Sequence, residues 1–340
     1  MEKMLVTGGA GFIGSHFVKR LLRADNVAKV TVLDALTYAG HVENLGRAFL
    51  DPRFSFVQGT VLDADLVDGL MAAHTAVVHF AAESHVDRSL LNGGPFMRTN
   101  VLGTHVLVDA AHRHGIQKFV HVSTDEVYGP LQQGSATEEA PLRPTVPYAM
   151  SKAAGDLVAL SCFRTYGLPV CVTRSSNNYG PAQYPEKIIP LFVTRLVTGE
   201  KVTLHGSGEH VRNWLHVEDN CAAIELVLRG GVPGEIYNIA SATDLTNREL
   251  TGLLLGVCGA DWDAVTYVPD RQANDIRYSM LWDKIADQLG YKPRKSFEQG
   301  LAETVEWYRR NYDRWAPLTR NSAATRPHLT LGTALEPQRV

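Results

Sequence analysis

A chain of 340 residues can form one large α/β domain, or a large and a small one. With 45% hydrophobic and 20% charged residues and a formal net charge of −3, it lacks the basic excess that nucleic acid or an anionic membrane selects, so neither is an expected partner. No apolar run is long enough to span a bilayer, and the N-terminus enters a strand without a signal or transit segment. Cys162, Cys171, Cys221 and Cys258 are scattered without metal-ligand spacing. Reduced thiols, no metal and a cytoplasmic location are the expectation.

Met4–Thr7 reads as a short strand and Gly8–Ser15 as a turn opening a helix to about Leu22. In that setting Gly8 permits a tight turn, Gly11 lets the backbone approach a pyrophosphate, and Gly14 lets helix pack on strand. Unpaired N–H groups at the helix start then face the phosphates. A glycine triplet alone is a weak signal. Here Val30–Leu33 is a second strand, closed by Asp34 twenty residues past Gly14. A carboxylate there accepts both adenosine ribose hydroxyls and repels a 2′-phosphate, which points to NAD over NADP. The plainer reading, a solvated loop aspartate, does not account for the spacing.

Phe54–Gln58 and Ala76–Phe80 are the next strands. Ala81–Ser89 begins small and turns polar at the carboxyl edge of the sheet, where open α/β folds bind ligands. His79, within a strand, reads as a core histidine. A helix from about Pro95 to His114 precedes the apolar strand Phe119–Val122, which ends in Thr124, Asp125 and Glu126. Glu138–Pro147 is a Pro-rich acidic surface loop. Tyr148 and Lys152, four apart, share one face of a helix running to about Tyr166. That helix is apolar on more than one face, which predicts burial against the sheet and against a second copy. A phenol, an ammonium, a hydroxyl and two carboxyls are thus candidates for one site.

Val170–Thr173 is a strand, and Arg174–Pro181 reads as a polar turn. Beyond residue 180 the alternation weakens. A helix (Ile188–Thr198), a strand (Val202–Leu204), a helix ending near Leu228 and a strand (Ile236–Ala240) returning to the parallel sheet are expected. Helices at about Asn247–Val257, Trp282–Leu289 and Phe297–Arg310 follow. Lys187, Arg212, Asn247, Arg271 and Arg277 are singly ordinary surface groups; as a set they suit a diphosphate-bearing substrate. The expected fold is α/β, a Rossmann-type doubly wound parallel sheet with a smaller C-terminal α/β substrate-binding domain. Residues 1–180, with a returning segment near 213–245, form the NAD domain; 181–315 form the nucleotide-sugar domain, interleaved with it; 316–340 form a mobile tail.

Gly8 to Gly14, Asp34, and Tyr148 with Lys152 resemble the extended short-chain dehydrogenase/reductases that act on nucleotide sugars. Thr124-Asp125-Glu126 is similar to the dTDP-glucose 4,6-dehydratases within that group; 4-epimerases carry the hydroxyl without the carboxylate pair. Asp34 to Gly40, Ala81 to Ser89, Ser176 to Gly180, Pro185 to Lys187 and Arg212 to Leu215 extend the resemblance, which runs from residue 4 to about 311. It implies a homodimer paired through the helices at about 97–114 and 148–166. It also implies NAD held by Gly8, Gly11, Phe12, Ile13, Gly14, Asp34, Leu36, Thr37, Gly40, Thr60, Val61, Ala81, Ala82, Ser84, Thr99, Tyr148, Lys152 and Asn178. The nucleotide-diphosphate sugar would be held by Ser84, His85, Thr124, Asn177, Lys187, Ile188, Thr203, His205, Arg212, Asn247, Arg271 and Asn274.

Departures fall at the adenine edge of the cofactor and at the nucleotide end of the substrate. Thr60 stands in place of an aspartate, Thr203 and His205 in place of proline and tyrosine, and Asn274 in place of histidine. dTDP-glucose is the first expectation for the substrate. UDP-glucose, and 4-epimerisation as a reaction, are the alternatives. For a 4,6-dehydratase the resemblance implies that Tyr148 takes the C4 hydroxyl proton and Thr124 holds the C4 oxygen. Glu126 takes the C5 proton and a protonated Asp125 donates to the departing C6 hydroxyl. Lys152 and the nicotinamide cation are expected to lower the phenol pKa toward working pH.

Overall fold

The computed structural model describes residues 2–270 and 275–321. Strands β1 (Glu2–Thr7), β2 (Val27–Asp34), β3 (Phe54–Gln58), β4 (Ala76–His79), β5 (Lys118–Thr124) and β6 (Val170–Ser175) come first in the chain. β7 (Asn177–Tyr179), β8 (Val202–His205), β9 (Val211–His216), β10 (Ile236–Ile239), β11 (Asp244–Thr246) and β12 (Val265–Val268) follow. The large sheet has the order β10-β6-β5-β4-β1-β2-β3, and every pairing in it is parallel. The order reverses at β1, so the carboxyl ends of β1 and β4 flank the crevice where such sheets bind ligands.

Both faces of this sheet are covered, which is why its strands are almost uninterrupted apolar runs. Alternate residues serve opposite cores. Met4 and Val6 of β1 enter one core while Leu5 enters the other, and Phe119 and Val120 of β5 divide the same way. Helix α1 (Phe12–Leu21) covers the first face. α2 (Ala64–Met71) covers the second, its start capped by the Asp63 carboxylate accepting from Leu66 N–H at 3.1 Å. After α3 (Val86–Leu91), the expected helix at 95–114 is α4 (Gly94–Phe96), a π-helical stretch over Met97–Leu102 and α5 (Gly103–Arg113). The π stretch carries Asn100 inward, where its amide donates to Glu83 O at 3.0 Å and Ser151 Oγ at 2.8 Å. That ties the loop after β4 to α6 (Pro147–Tyr166), the helix bearing Tyr148 and Lys152.

The second region holds α7 (Ile188–Val197), α8 (Val217–Gly230) and α9 (Asn247–Cys258), then α10 (Asp283–Leu289), α11 (Phe297–Arg310) and α12 (Tyr312–Asn321). α8 returns to the first face of the large sheet and feeds β10. β11, β9 and β7 form a small sheet, β12 and β8 another, and a third core gathers Phe192, Trp214, Leu254 and Tyr308.

Two expectations are corrected. The stretch 174–181 is not only a turn: Asn177–Tyr179 pairs in parallel with Trp214–His216, a strand that polar side chains concealed. The chain after residue 316 does not begin as a tail, because α12 continues to Asn321 with Pro317 inside it. The buried Trp315 holds that helix, its Nε1–H donating to Tyr308 O at 2.6 Å. The remainder of the expected tail lies outside the described residues. Among the described residues no helix is long and apolar enough to cross a membrane.

Candidate active site

Two cavities meet at the carboxyl edge of the large sheet, one of about 380 Å³ and one of about 200 Å³. Every cofactor residue expected from the sequence lines the first except Leu36. Leu36 turns its side chain onto the core, and its backbone sits at φ 51°, a strained value for a non-glycine. Its N–H donates to Asp34 Oδ1 at 2.9 Å, and Ala10 N–H donates to Asp34 Oδ2 at 2.8 Å. The two backbone donors fix the carboxylate at the end of β2, and each oxygen keeps a lone pair for a hydroxyl. Burial raises its pKa.

The turn after β1 fits a dinucleotide. Gly8 has φ 70°, and a Cβ on Gly14 would stand 2.3 Å from Gly8 O. A side chain at Gly14 would therefore force α1 away from the turn, and one at Gly8 would meet the backbone after β4, 2.5 Å from Ala81 N. No side chain caps α1 and its first turn holds no acid, so its opening N–H groups remain available to a pyrophosphate. Where the resemblance led one to expect an aspartate, Thr60 Oγ1 accepts from Leu62 N–H at 3.2 Å and holds the loop beside Val61. These features fit NAD. Among the described residues no cluster suits a metal ion.

β5 delivers the reacting groups. Its last residue, Thr124, caps a single turn of 3₁₀ helix, Asp125–Tyr128, by accepting Glu126 N–H at 3.3 Å. The Thr124 hydroxyl donates to Asp125 Oδ1 at 3.1 Å and stands beside the Tyr148 phenol, opposing the rise of its pKa. Tyr128 Oη donates to Asn238 Oδ1 at 2.7 Å, which pins the turn to β10. Lys152 Nζ donates to Val122 O at 2.6 Å. Thr124, Asp125, Glu126, Tyr148 and Lys152 all line the first cavity, and Glu126 lines the second as well.

Burial dominates the electrostatics. It pushes the Asp125 carboxyl up to about 7, helped by the neighbouring Glu126 charge, and leaves Asp125 Oδ2 without a hydrogen-bond partner. Burial raises Glu126 too, but Lys187 and Arg212 oppose the shift. Both carboxyls are raised, and the two cations beside Glu126 hold its rise down. Lys152 falls to about 8 through burial, opposed by Asp156 one helical turn away. The phenol departs from expectation. Tyr148 is raised above its ordinary value, first by burial and then by the Glu126 charge, with Asp125 adding to it. In the protein alone, desolvation outweighs the nearby ammonium; the nicotinamide cation of the expectation acts only once NAD is bound.

The second cavity gathers the expected substrate groups: His85, Asn177, Lys187, Ile188, Thr203, His205, Arg212 and Asn247. Lys187 Nζ donates to Ser84 O at 2.9 Å, and the Arg212 guanidinium lies 4.6 Å from the Tyr278 ring centre. Arg271 and Asn274 lie outside the described residues. Sequence reasoning did not single out Tyr38, Glu186, Trp214, Asp275 or Tyr278, all of which line these cavities. Tyr38, Glu186 and Trp214 stand inside motifs already recognised, and Asp275 beside Asn274; Tyr278 carries no motif. His79 is a core residue as expected, Nδ1 2.7 Å from Thr7 Oγ1 and Nε2 3.1 Å from Thr104 Oγ1. The four cysteines are free.

Residues 5–304 match the family described as GDP-mannose 4,6 dehydratase. The chain is 55% identical over 325 residues to a dTDP-glucose 4,6-dehydratase of Streptomyces antibioticus, covering 94% of this chain and 96% of that one. A crystal structure of dTDP-glucose 4,6-dehydratase from Streptomyces venezuelae with NAD bound matches with a TM-score of 0.92 at 54% identity, covering 93% of this chain and 99% of that one. A UDP-glucose 4-epimerase of Thermotoga maritima matches with a TM-score of 0.85 at 32% identity, covering 91% and 99%. The fold is thus shared with epimerases, but identity is far higher to the dTDP-glucose 4,6-dehydratases. The chain belongs to the dTDP-glucose 4,6-dehydratase family.

Proposed function

We infer that this chain is an NAD-dependent hydro-lyase converting dTDP-glucose to dTDP-4-keto-6-deoxyglucose, working as a cytoplasmic homodimer. The observation that carries the chemistry is the Asp125–Glu126 pair, set against Thr124, Tyr148 and Lys152 at the junction of the two cavities. NAD, when bound, supplies the hydride acceptor at C4 and the hydride donor at C6.

The chain's own groups move the protons. Tyr148, reacting as the phenolate, takes the proton of the C4 hydroxyl while Thr124 holds the C4 oxygen. The C4 carbonyl acidifies C5–H, and the Glu126 carboxylate takes that proton; after exchange with solvent, Glu126 returns a proton to C5 as hydride reaches C6. Asp125 donates its proton to the C6 hydroxyl, which leaves as water. Each ionised carboxylate beside Tyr148 hinders loss of the phenol proton. Keeping Asp125 protonated therefore serves both the first proton transfer and the last. Lys187 and Arg212 suit the diphosphate, which positions the sugar over Glu126.

Support for the dimer is the row of exposed apolar side chains on one group of helices. Leu91 of α3, Leu102 beside α5 and Leu157 of α6 are 63%, 50% and 55% exposed. Leu90, Met97 and Met150 extend the same surface.

Turnover of dTDP-glucose in D₂O tests the reading. The product should carry deuterium at C5, with no net reduction of NAD. Glu126→Gln should slow product formation by about 10²–10⁴-fold. Full dehydration by that variant would overturn the assignment of the C5 base, and a C4 epimer as product would overturn the dehydratase reading.

A further inference from the structure

Three segments far apart in the chain meet beside the cofactor cavity, the first and third lining it and the second lining the neighbouring cavity. They are the loop after β2, the start of α3 after β4, and the residues before α7. In the large sheet β1 lies between β2 and β4, and the glycine turn follows β1. A contact from the first segment to the second therefore passes over the end of β1, where the dinucleotide turn stands.

The contact is made by side chains of opposite character. The Arg88 guanidinium lies 3.8 Å from the centre of the Tyr38 ring. Glu186 Oε2 stands 3.6 Å from Arg88 Nε and 3.6 Å from His85 Nε2. Tyr184 meets the edge of Tyr38 at 5.6 Å. Tyr38 Oη, Arg88 Nε and Glu186 Oε2 are all buried without a hydrogen-bond partner. Glu186 is only 7% exposed. Burying a carboxylate near a guanidinium while the two miss a hydrogen bond contributes little to stability, since desolvation offsets the attraction. Tyr38 and Glu186 face the same cavity as Gly8 and Gly14. Two of the three residues thus border that groove, and Arg88 joins them.

We propose that Tyr38, Arg88 and Glu186 form a clasp across the cofactor groove that retains NAD through turnover. This rests on the NAD-dependent reading above. A reaction that returns its hydride to the sugar it came from consumes no cofactor, so the cofactor need never leave. The clasp joins the loop beside the adenosine-binding Asp34 to the segment carrying Lys187, and so closes the groove from the substrate side.

The experiment measures the rate at which NAD leaves the full-length protein, by trapping released NAD with an excess of a second NAD-binding dehydrogenase. Glu186→Gln removes the charge at constant shape, and Arg88→Gln removes the cation. Each should release NAD about tenfold faster than the wild type, and the double variant no faster than either single one. Arg88→Lys, which keeps charge but loses the planar group over Tyr38, should recover only part of the retention. Release at the wild-type rate from both single variants, shown folded by circular dichroism, would overturn the clasp. So would a raised KM for dTDP-glucose with unchanged NAD release, which would place Glu186 in the sugar site. A wild-type protein that does not hold NAD would instead overturn the cofactor reading beneath it.

Discussion

Asp125→Asn keeps the shape of the site and removes one proton-binding group, and the structure sets the size of the effect. The Thr124 hydroxyl that donates to Asp125 Oδ1 finds the same acceptor in Asn. In an unfolded chain an aspartate titrates at 3.8, whereas here burial and the Glu126 charge raise it to about 7. The folded state thus binds this proton more tightly than the unfolded state. The stability it contributes is fully present below the unfolded value and is lost as the pH climbs to the folded one. The slope between the two is about 1.4 kcal/mol per pH unit, so the wild type loses about 3 kcal/mol from this group between about pH 5 and about pH 8. Asn binds no proton and has no such slope. Guanidinium unfolding of both proteins, followed by tryptophan fluorescence, isolates the difference because other titrating groups are common to both. The variant should gain on the wild type by about 3 kcal/mol across that range. Parallel stability profiles, or a wild type that gains on the variant as pH rises, would refute the reasoning.

Gly14→Ala should abolish NAD binding in calorimetry, because the new Cβ falls 2.3 Å from Gly8 O and must move α1 off the turn. NAD affinity within about twofold of wild type would show that the helix start does not hold the pyrophosphate. Leu102→Glu with Leu157→Glu should convert the dimer to a monomer in light scattering, since the two side chains are 50% and 55% exposed on the helices expected to pair. An unchanged mass would move the interface elsewhere.

The large sheet was readable because its strands alternate between two apolar cores, so Met4–Thr7, Phe54–Gln58 and Val170–Thr173 announce themselves by composition. Tyr148 and Lys152 were readable because four residues is one helical turn. β7 was not, because Asn177 and Asn178 look like a loop until β9 lies beside them. α12 was hidden for a related reason: its stability comes from Trp315 packing on α11, and the local sequence shows only Pro317. The raised phenol of Tyr148 and the meeting of Tyr38, Arg88 and Glu186 depend on what the fold brings near. Spacing along the chain carries no signal for either.

The path of the chain limits how this enzyme can be recombined. β7 and β9 belong to the small sheet, yet α8 and β10, which follow β9, return to the large one before β11 goes back. The substrate side is therefore not a contiguous cassette. A chimaera joined at a single point near residue 180 would import β10 from the donor along with the new nucleotide pocket. It would then have to fit a foreign edge strand against Val172–Ser175 and a foreign helix against the core beneath α1. Exchange of nucleotide preference calls for paired junctions on either side of α8–β10, or for point changes at Thr203 and His205, which line the pocket without touching the large sheet.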